Sequence, residues 1–292
     1  MRKPTIFAAL AAASLSLTAV DASAFAITAG DIKITIDNYD SGTVGYGNTA
    51  GVKCLTIAGC DAAAAMPAPG ALGGSFDTLG IISVAAITNI STGVTLYTRG
   101  AGGVFLTGIF SGLSDHAVEV TCGFLTGCST TALSSGGTFN IWSNAADYNP
   151  TLGPTGPGVN LPASIYPGVS GGSLFLGGVF SPGVLAGDFT TTYFSNFNNN
   201  SFAGGGSGFL DVTAGSAFAN FNTNSLMDAN GNKHDLFASI IYDDVNLVAS
   251  SLGWTVKSAG QISGAAIPEP TSVALVGLAL LGLVGTVRRK QG

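Results

Sequence analysis

Between residues 27 and 267 apolar side chains recur with a period of two and almost never with the helical period, which excludes most folds at once. Ile32, Ile34 and Ile36 alternate with Lys33, Thr35 and Asp37, so an extended segment there has one apolar and one polar face. Residues 82–90 and 94–98 are expected to pair as a hairpin through Ser91-Thr92-Gly93, because glycine supplies the positive φ of a tight turn. Further strands are expected at 104–110 and 118–124, with Asp115-His116 in the turn between them, and around Phe139 and Ile141. Others follow at 174–180, 189–197, 209–213, 218–222, 236–242 and 252–257. Ten or more short strands rich in glycine imply an all-β body, a β-sandwich of jelly-roll type. A solenoid is the second choice, but the chain shows no fixed repeat of about 20 to 50 residues.

One stretch interrupts this texture. Pro150, Pro154, Pro157, Pro162 and Pro167 fall within residues 147–172 among glycine and asparagine, so neither ladder nor helix can persist there. The same strand-like composition resumes afterwards, and the stretch is read as a crossover inside one domain.

The two ends of the chain are of another kind. Arg2 and Lys3 precede an apolar run at 6–20 and then Ala22-Ser23-Ala24-Phe25-Ala26, the pattern of a cleavable secretory signal peptide. Residues 1–26 are assigned to it, with cleavage expected after Ala26 and Ala24 the neighbouring choice. At the other end Pro268-Glu269-Pro270 is followed by 17 uncharged residues, 271–287, and by Arg288-Arg289-Lys290. A helix of that length spans about 25 Å, enough for a thin bilayer, and the basic triplet would stay cytoplasmic. This order resembles the PEP-CTERM sorting signal of Gram-negative bacteria. The resemblance covers 268–292 and implies export, processing by an exosortase, transient inner-membrane anchoring through the tail helix, and final residence at the cell surface or in the extracellular matrix.

The body left between the ends, 27–267, has 5 basic against 14 acidic residues, a net charge of −9. An acidic body with no basic stripe argues against nucleic acid as a partner. Export also bears on the four cysteines, which form two equally spaced pairs, Cys54/Cys60 and Cys122/Cys128. In an oxidising compartment these are expected as disulfides. Of the three connectivities, the two local loops are favoured. Zinc is disfavoured, since finger sites space their cysteines more tightly and neither pair has a histidine beside it.

Little in the chain suggests catalysis. Gly168-Val169-Ser170-Gly171-Gly172 fits G-x-S-x-G, but Pro167 breaks the strand the motif needs and no helix pattern follows. His116 and His234 sit in polar, turn-like contexts. Asp228, Asn230, Asn232 and Asp235 place oxygens at intervals that suit a calcium loop, with Asp243 and Asp244 as further donors. Against this, Lys233 stands where an EF-hand loop has glycine, Ser239 where it has glutamate, and an Asn-Gly turn explains the same residues. No cofactor is required by the sequence. Trp142, Tyr148, Tyr166, Tyr193 and Trp254 offer a sugar-stacking face or ordinary packing, and packing is the expectation.

The segment 208–224, followed by Asp235-Leu-Phe-Ala-Ser and the sorting tail, resembles flocculation-associated PEP-CTERM proteins. That resemblance implies a non-enzymatic surface or matrix protein that supports exopolysaccharide-associated aggregation, in biofilms or flocs, by contacting polysaccharide or other copies of itself. The alternative is a secreted glycan-acting hydrolase with the same tail.

Overall fold

The computed structural model describes residues 25–41, 51, 53–63, 78–124, 127–153, 166–199, 201, 203–242, 252–254 and 256–267. Ala24, Asp243, Asp244 and the sorting residues Pro268, Glu269, Pro270, Arg288, Arg289 and Lys290 lie outside them. The first strands are β1 (Gly30–Ser41), β2 (Lys53–Cys54), β3 (Thr78–Asn89), β4 (Val94–Thr98), β5 (Phe105–Gly123) and β6 (Gly127–Asn144). After the proline-rich stretch come β7 (Ser173–Ser181), β8 (Tyr193–Asn198), β9 (Gly204–Ala214), β10 (Leu226–Met227), β11 (Lys233–His234), β12 (Leu236–Tyr242) and β13 (Val256–Ala266). Two short helices accompany them, α1 (Ile57–Ala63) and α2 (Phe218–Phe221).

Antiparallel ladders join β1 to β3, β3 to β5, β5 to β6, β6 to β7, β7 to β9, β9 to β12, β12 to β13, and β13 back to β1. The expected all-β body is present, and the opposed walls of a sandwich are joined by hydrogen bonds at both edges. The result is a barrel in next-neighbour order. β8 continues the wall begun by β7, pairing with β6 and β9 farther along. Closure removes the free edges that an open sheet must otherwise protect.

The alternation on β1 is as the sequence implies: Ile32, Ile34 and Ile36 are buried and their neighbours less so. The hairpin at Ser91-Thr92-Gly93 also forms, with Gly93 N–H donating to Asn89 O at 2.8 Å and Gly93 at φ 73°.

Three expectations are corrected. Asp115-His116 makes no turn, because β5 runs unbroken through them; the ladder with β6 slips there, between Asp115 and Ala117. Just before it the two strands bend at Gly112 and Gly136, with φ of 79° and 75°. The strand expected at 218–222 is replaced by the helix α2 (Phe218–Phe221), since Gly215 at φ 109° turns the chain out of β9. The last strand lies mostly beyond 252–257, because Ser258, Gly260 and Gly264 face inward beside Ile262 and are too small to register as an apolar face.

Packing divides into three clusters. Ile32, Ile34, Leu106, Phe175, Phe221 and Leu236 fill the barrel interior toward the Gly30/Ala266 end, where Asn220 Nδ2 donates to Ile267 O at 2.9 Å. Outside the wall, Tyr39, Ile81 and Ile109 are covered by Tyr166, Val169 and Trp254. Trp254 Nε1 donates to Pro150 O at 2.7 Å, and Tyr166 Oη donates to Gly153 O at 3.1 Å. The described ends of the proline-rich stretch therefore lie against the barrel. The third cluster holds Val118, Val120 and Ala132 with the bridges Cys54–Cys60 and Cys122–Cys128.

Candidate functional site

The interior is not filled from end to end. Toward the end where Asp40 pairs with Val256, the barrel holds a chamber open to solvent, about 1070 Å³ of atom-free space when the solvent at its mouth is counted. Ile36, Ile82, Phe139, Ile141, Leu210 and Ile262 line its inner part. Polar groups gather farther out, and β1 shows why: its inward register continues past Ile36 to Asn38 and Asp40.

Asn38 Nδ2 donates to Asp40 Oδ2 at 2.9 Å, and Ser258 Oγ donates to the same oxygen at 3.3 Å. Asn38 Oδ1 has no hydrogen-bond partner among the described residues, although the side chain is only 2% exposed. Burial pushes the Asp40 carboxyl up to about 7, against the pull of those two donors. Tyr193 and Tyr242 line the same space with their hydroxyls 2.9 Å apart. Burial raises both, and the nearby Asp40 charge raises them further. A Cβ on Gly206 would collide with both hydroxyls, so glycine on β9 is what lets the two rings turn inward. Asp115, whose Oδ1 accepts from Ser134 Oγ at 2.7 Å, completes the polar set. This is an apolar chamber with acceptors and hydroxyls at one end, a form suited to holding a small molecule.

The candidate calcium residues lie elsewhere, on the outside of the barrel. Asp228, Asn230 and Asn232 share one turn whose oxygens already accept hydrogen bonds: Asp228 Oδ1 from Asn230 N at 2.8 Å and Asn232 N at 2.7 Å, and Asn230 Oδ1 from Gly187 N at 2.6 Å. Burial pushes the Asp228 carboxyl up, but donors from Asn232, His234 and Asn230 outweigh it and hold it at about 2. Asp235 faces another turn, accepting from Thr223 N, Asn224 N and Val212 N at 2.6 to 2.8 Å. Among the described residues no three His, Cys, Asp or Glu side chains converge as a metal site.

His234 is buried, stacked on Phe209 at 4.6 Å between ring centroids and set between Asp211 at 3.1 Å and Asp228 at 3.4 Å. His116 Nε2 lies 3.0 Å from Thr191 Oγ1. Ser170 Oγ accepts from Tyr166 N at 2.9 Å, which ties the G-x-S-x-G segment into a turn. Of the five aromatics, Tyr166 and Trp254 are buried in the outer cluster, Trp142 and Tyr148 pack against it, and Tyr193 faces the chamber.

Asn38, Asp40, Asp115 and Tyr242 were not marked as a group by the sequence. Extending the Ile32-Ile34-Ile36 alternation by two steps would have placed Asn38 and Asp40 on the buried face. Nothing local signals that Tyr193 and Tyr242 meet, since 49 residues separate them.

No curated protein and no solved structure matches the chain. A family match begins at Ala266, the last residue of β13. Residues 266–290 match the PEP-CTERM protein-sorting motif, and the chain is thus an exported, surface-targeted protein of the kind that an exosortase processes.

Proposed function

We propose that the protein is a non-enzymatic surface or extracellular-matrix component that supports exopolysaccharide-associated aggregation, in biofilms or flocs. The observation that carries this reading is the junction at Ala266, where the closing strand of the barrel runs directly into the sorting motif. What the motif delivers is therefore one closed, disulfide-pinned β body. The chain's 9% content of charged residues leaves a surface of Ser, Thr, Asn and Gly, well suited to hydrogen bonding with neutral polysaccharide or with other copies of the chain. A strain lacking the protein is expected to aggregate poorly and to retain less matrix; unchanged aggregation and matrix content would refute the reading. Pull-down on purified exopolysaccharide, with and without a calcium chelator, measures the binding directly. Calcium dependence would require the cation to displace donors that Asp228 and Asn230 already hold.

The glycan-acting hydrolase stays as a second reading because Asp40 and Asp115 line one cavity and burial holds Asp40 near 7, as suits a general acid. The apolar inner lining, poor in groups that hydrogen-bond a sugar, favours the first reading. Release of reducing sugar from exopolysaccharide by the native chain, abolished by Asp40→Asn, would reverse that preference.

A further inference from the structure

The chamber is formed by strands all round the ring, yet packing stops partway along it: side chains fill the Gly30/Ala266 end and leave the Asp40 end empty. An unfilled apolar interior forfeits dispersion contacts, so a body whose only task were to present an outer surface has no use for one. The polar atoms around it are also unbalanced. Asn38 lines the chamber, and its Nδ2 is engaged by Asp40, whereas its Oδ1, buried as well, has no donor among the described residues. A buried amide oxygen left without a donor is destabilising, and here it is held in place by a strand paired on both sides.

We propose that the Asp40 end of the lumen holds a small apolar molecule with a hydrogen-bond donor at one end, a medium-chain alcohol or amine. Its chain lies against Ile36, Ile82 and Ile262, and its donor meets Asn38 Oδ1. The carboxyls of Asp40 and Asp115 on the same lining select against fatty acids and phosphates, which would bring a second negative charge into a poorly solvated space. The inference rests on the reading of the body as a binding protein and not an enzyme, and gives that body a specific ligand class.

The test uses the purified full chain and the fluorescent apolar amine N-phenyl-1-naphthylamine, displaced in turn by decanol, decylamine and decanoate. Saturable probe binding is expected, with decanol or decylamine displacing the probe at concentrations about tenfold below decanoate, as one well-placed hydrogen bond allows. Stronger displacement by decylamine assigns the amine, and by decanol the alcohol. Asn38→Leu is expected to keep the probe site and remove the tenfold preference, and Ile82→Trp to abolish probe binding, each with circular dichroism showing a folded barrel. Absence of saturable binding by the folded native chain overturns the proposal, as does decanoate equalling the other two, or an unchanged preference in Asn38→Leu. Those failures leave the surface-protein reading intact, while sugar release by the native chain would sink that reading and leave lumen binding standing.

Discussion

Asp40 sits where burial and ionisation compete, and its consequence for stability has a definite sign. The group is held near 7 in the folded chain against 3.8 for the free side chain, so folding takes up a proton between those values. Its contribution is complete below about pH 4 and is lost as the pH rises through 7, at up to about 1.4 kcal/mol per pH unit. Asp40→Asn is expected to gain on the native chain steadily across that window in urea denaturation. A parallel pair of stability curves would show that Asp40 is not held up by burial. Asp235 acts through hydrogen bonds, accepting from three backbone N–H groups, one of them on Asn224, which sits at φ 49°. Removing the carboxylate strands all three donors, so Asp235→Ala is expected to cost about 3 kcal/mol or more in the urea midpoint, with Asp235→Asn milder. Neither role was legible in the residue itself. Asp40 carries no signal of its own in the sequence, and Asp235 stood there only as one oxygen of the candidate calcium loop.

At the scale of elements the sequence conveyed strands through large side chains and failed where they are small. β1 and β12 follow from Ile and Leu at alternate positions, whereas the inward positions of β13 and the first half of β9 are mostly glycine and other small residues, whose burial no periodicity can register. The same blindness hid the chamber, whose lining mixes Ala132, Ala238, Ser134 and Ser195 with the large apolar side chains. The disulfides were visible from spacing, but not that both would sit in one small cluster at the β5–β6 hairpin. Each closes a loop with a sequence separation of 6, and a loop so short constrains the unfolded chain by only about 2 kcal/mol. Replacing Cys54 and Cys60 by serine is therefore expected to lower stability by about that amount while far-ultraviolet circular dichroism keeps its strand signature. Loss of the whole fold would show that the hairpin cluster nucleates the barrel.

For the whole molecule, register fixes the relation between tail and chamber. Gly30 pairs with Ala266 at one end of the barrel and Asp40 with Val256 at the other. While the chain is tethered through residues beyond 267, the chamber end lies on the far side of the barrel from the tether. The described residues nearest the two expected processing points, Phe25 and Ile267, lie at the filled end. Phe25 packs there, with ring centroids 5.1 Å from Tyr97 and 5.7 Å from Phe175, which favours cleavage after Ala24 over Ala26, since only the former keeps that ring. Intact mass of the secreted protein is expected to fit a chain beginning at Phe25 and ending near Pro268-Glu269-Pro270; a mass extending to Gly292 would refute the processing.

Ring closure also sets a timetable. The pairing of β1 with β13 joins the first strand made to the last, so until residues 256–266 emerge the growing chain carries β1 and β12 as raw edges, open to wrong partners. The strand that ends this exposure is immediately followed by the sorting motif, so a chain cut short before residue 256 lacks both its address and the strand that shuts the ring. Such a copy is marked twice, by a missing label and by unpaired edges.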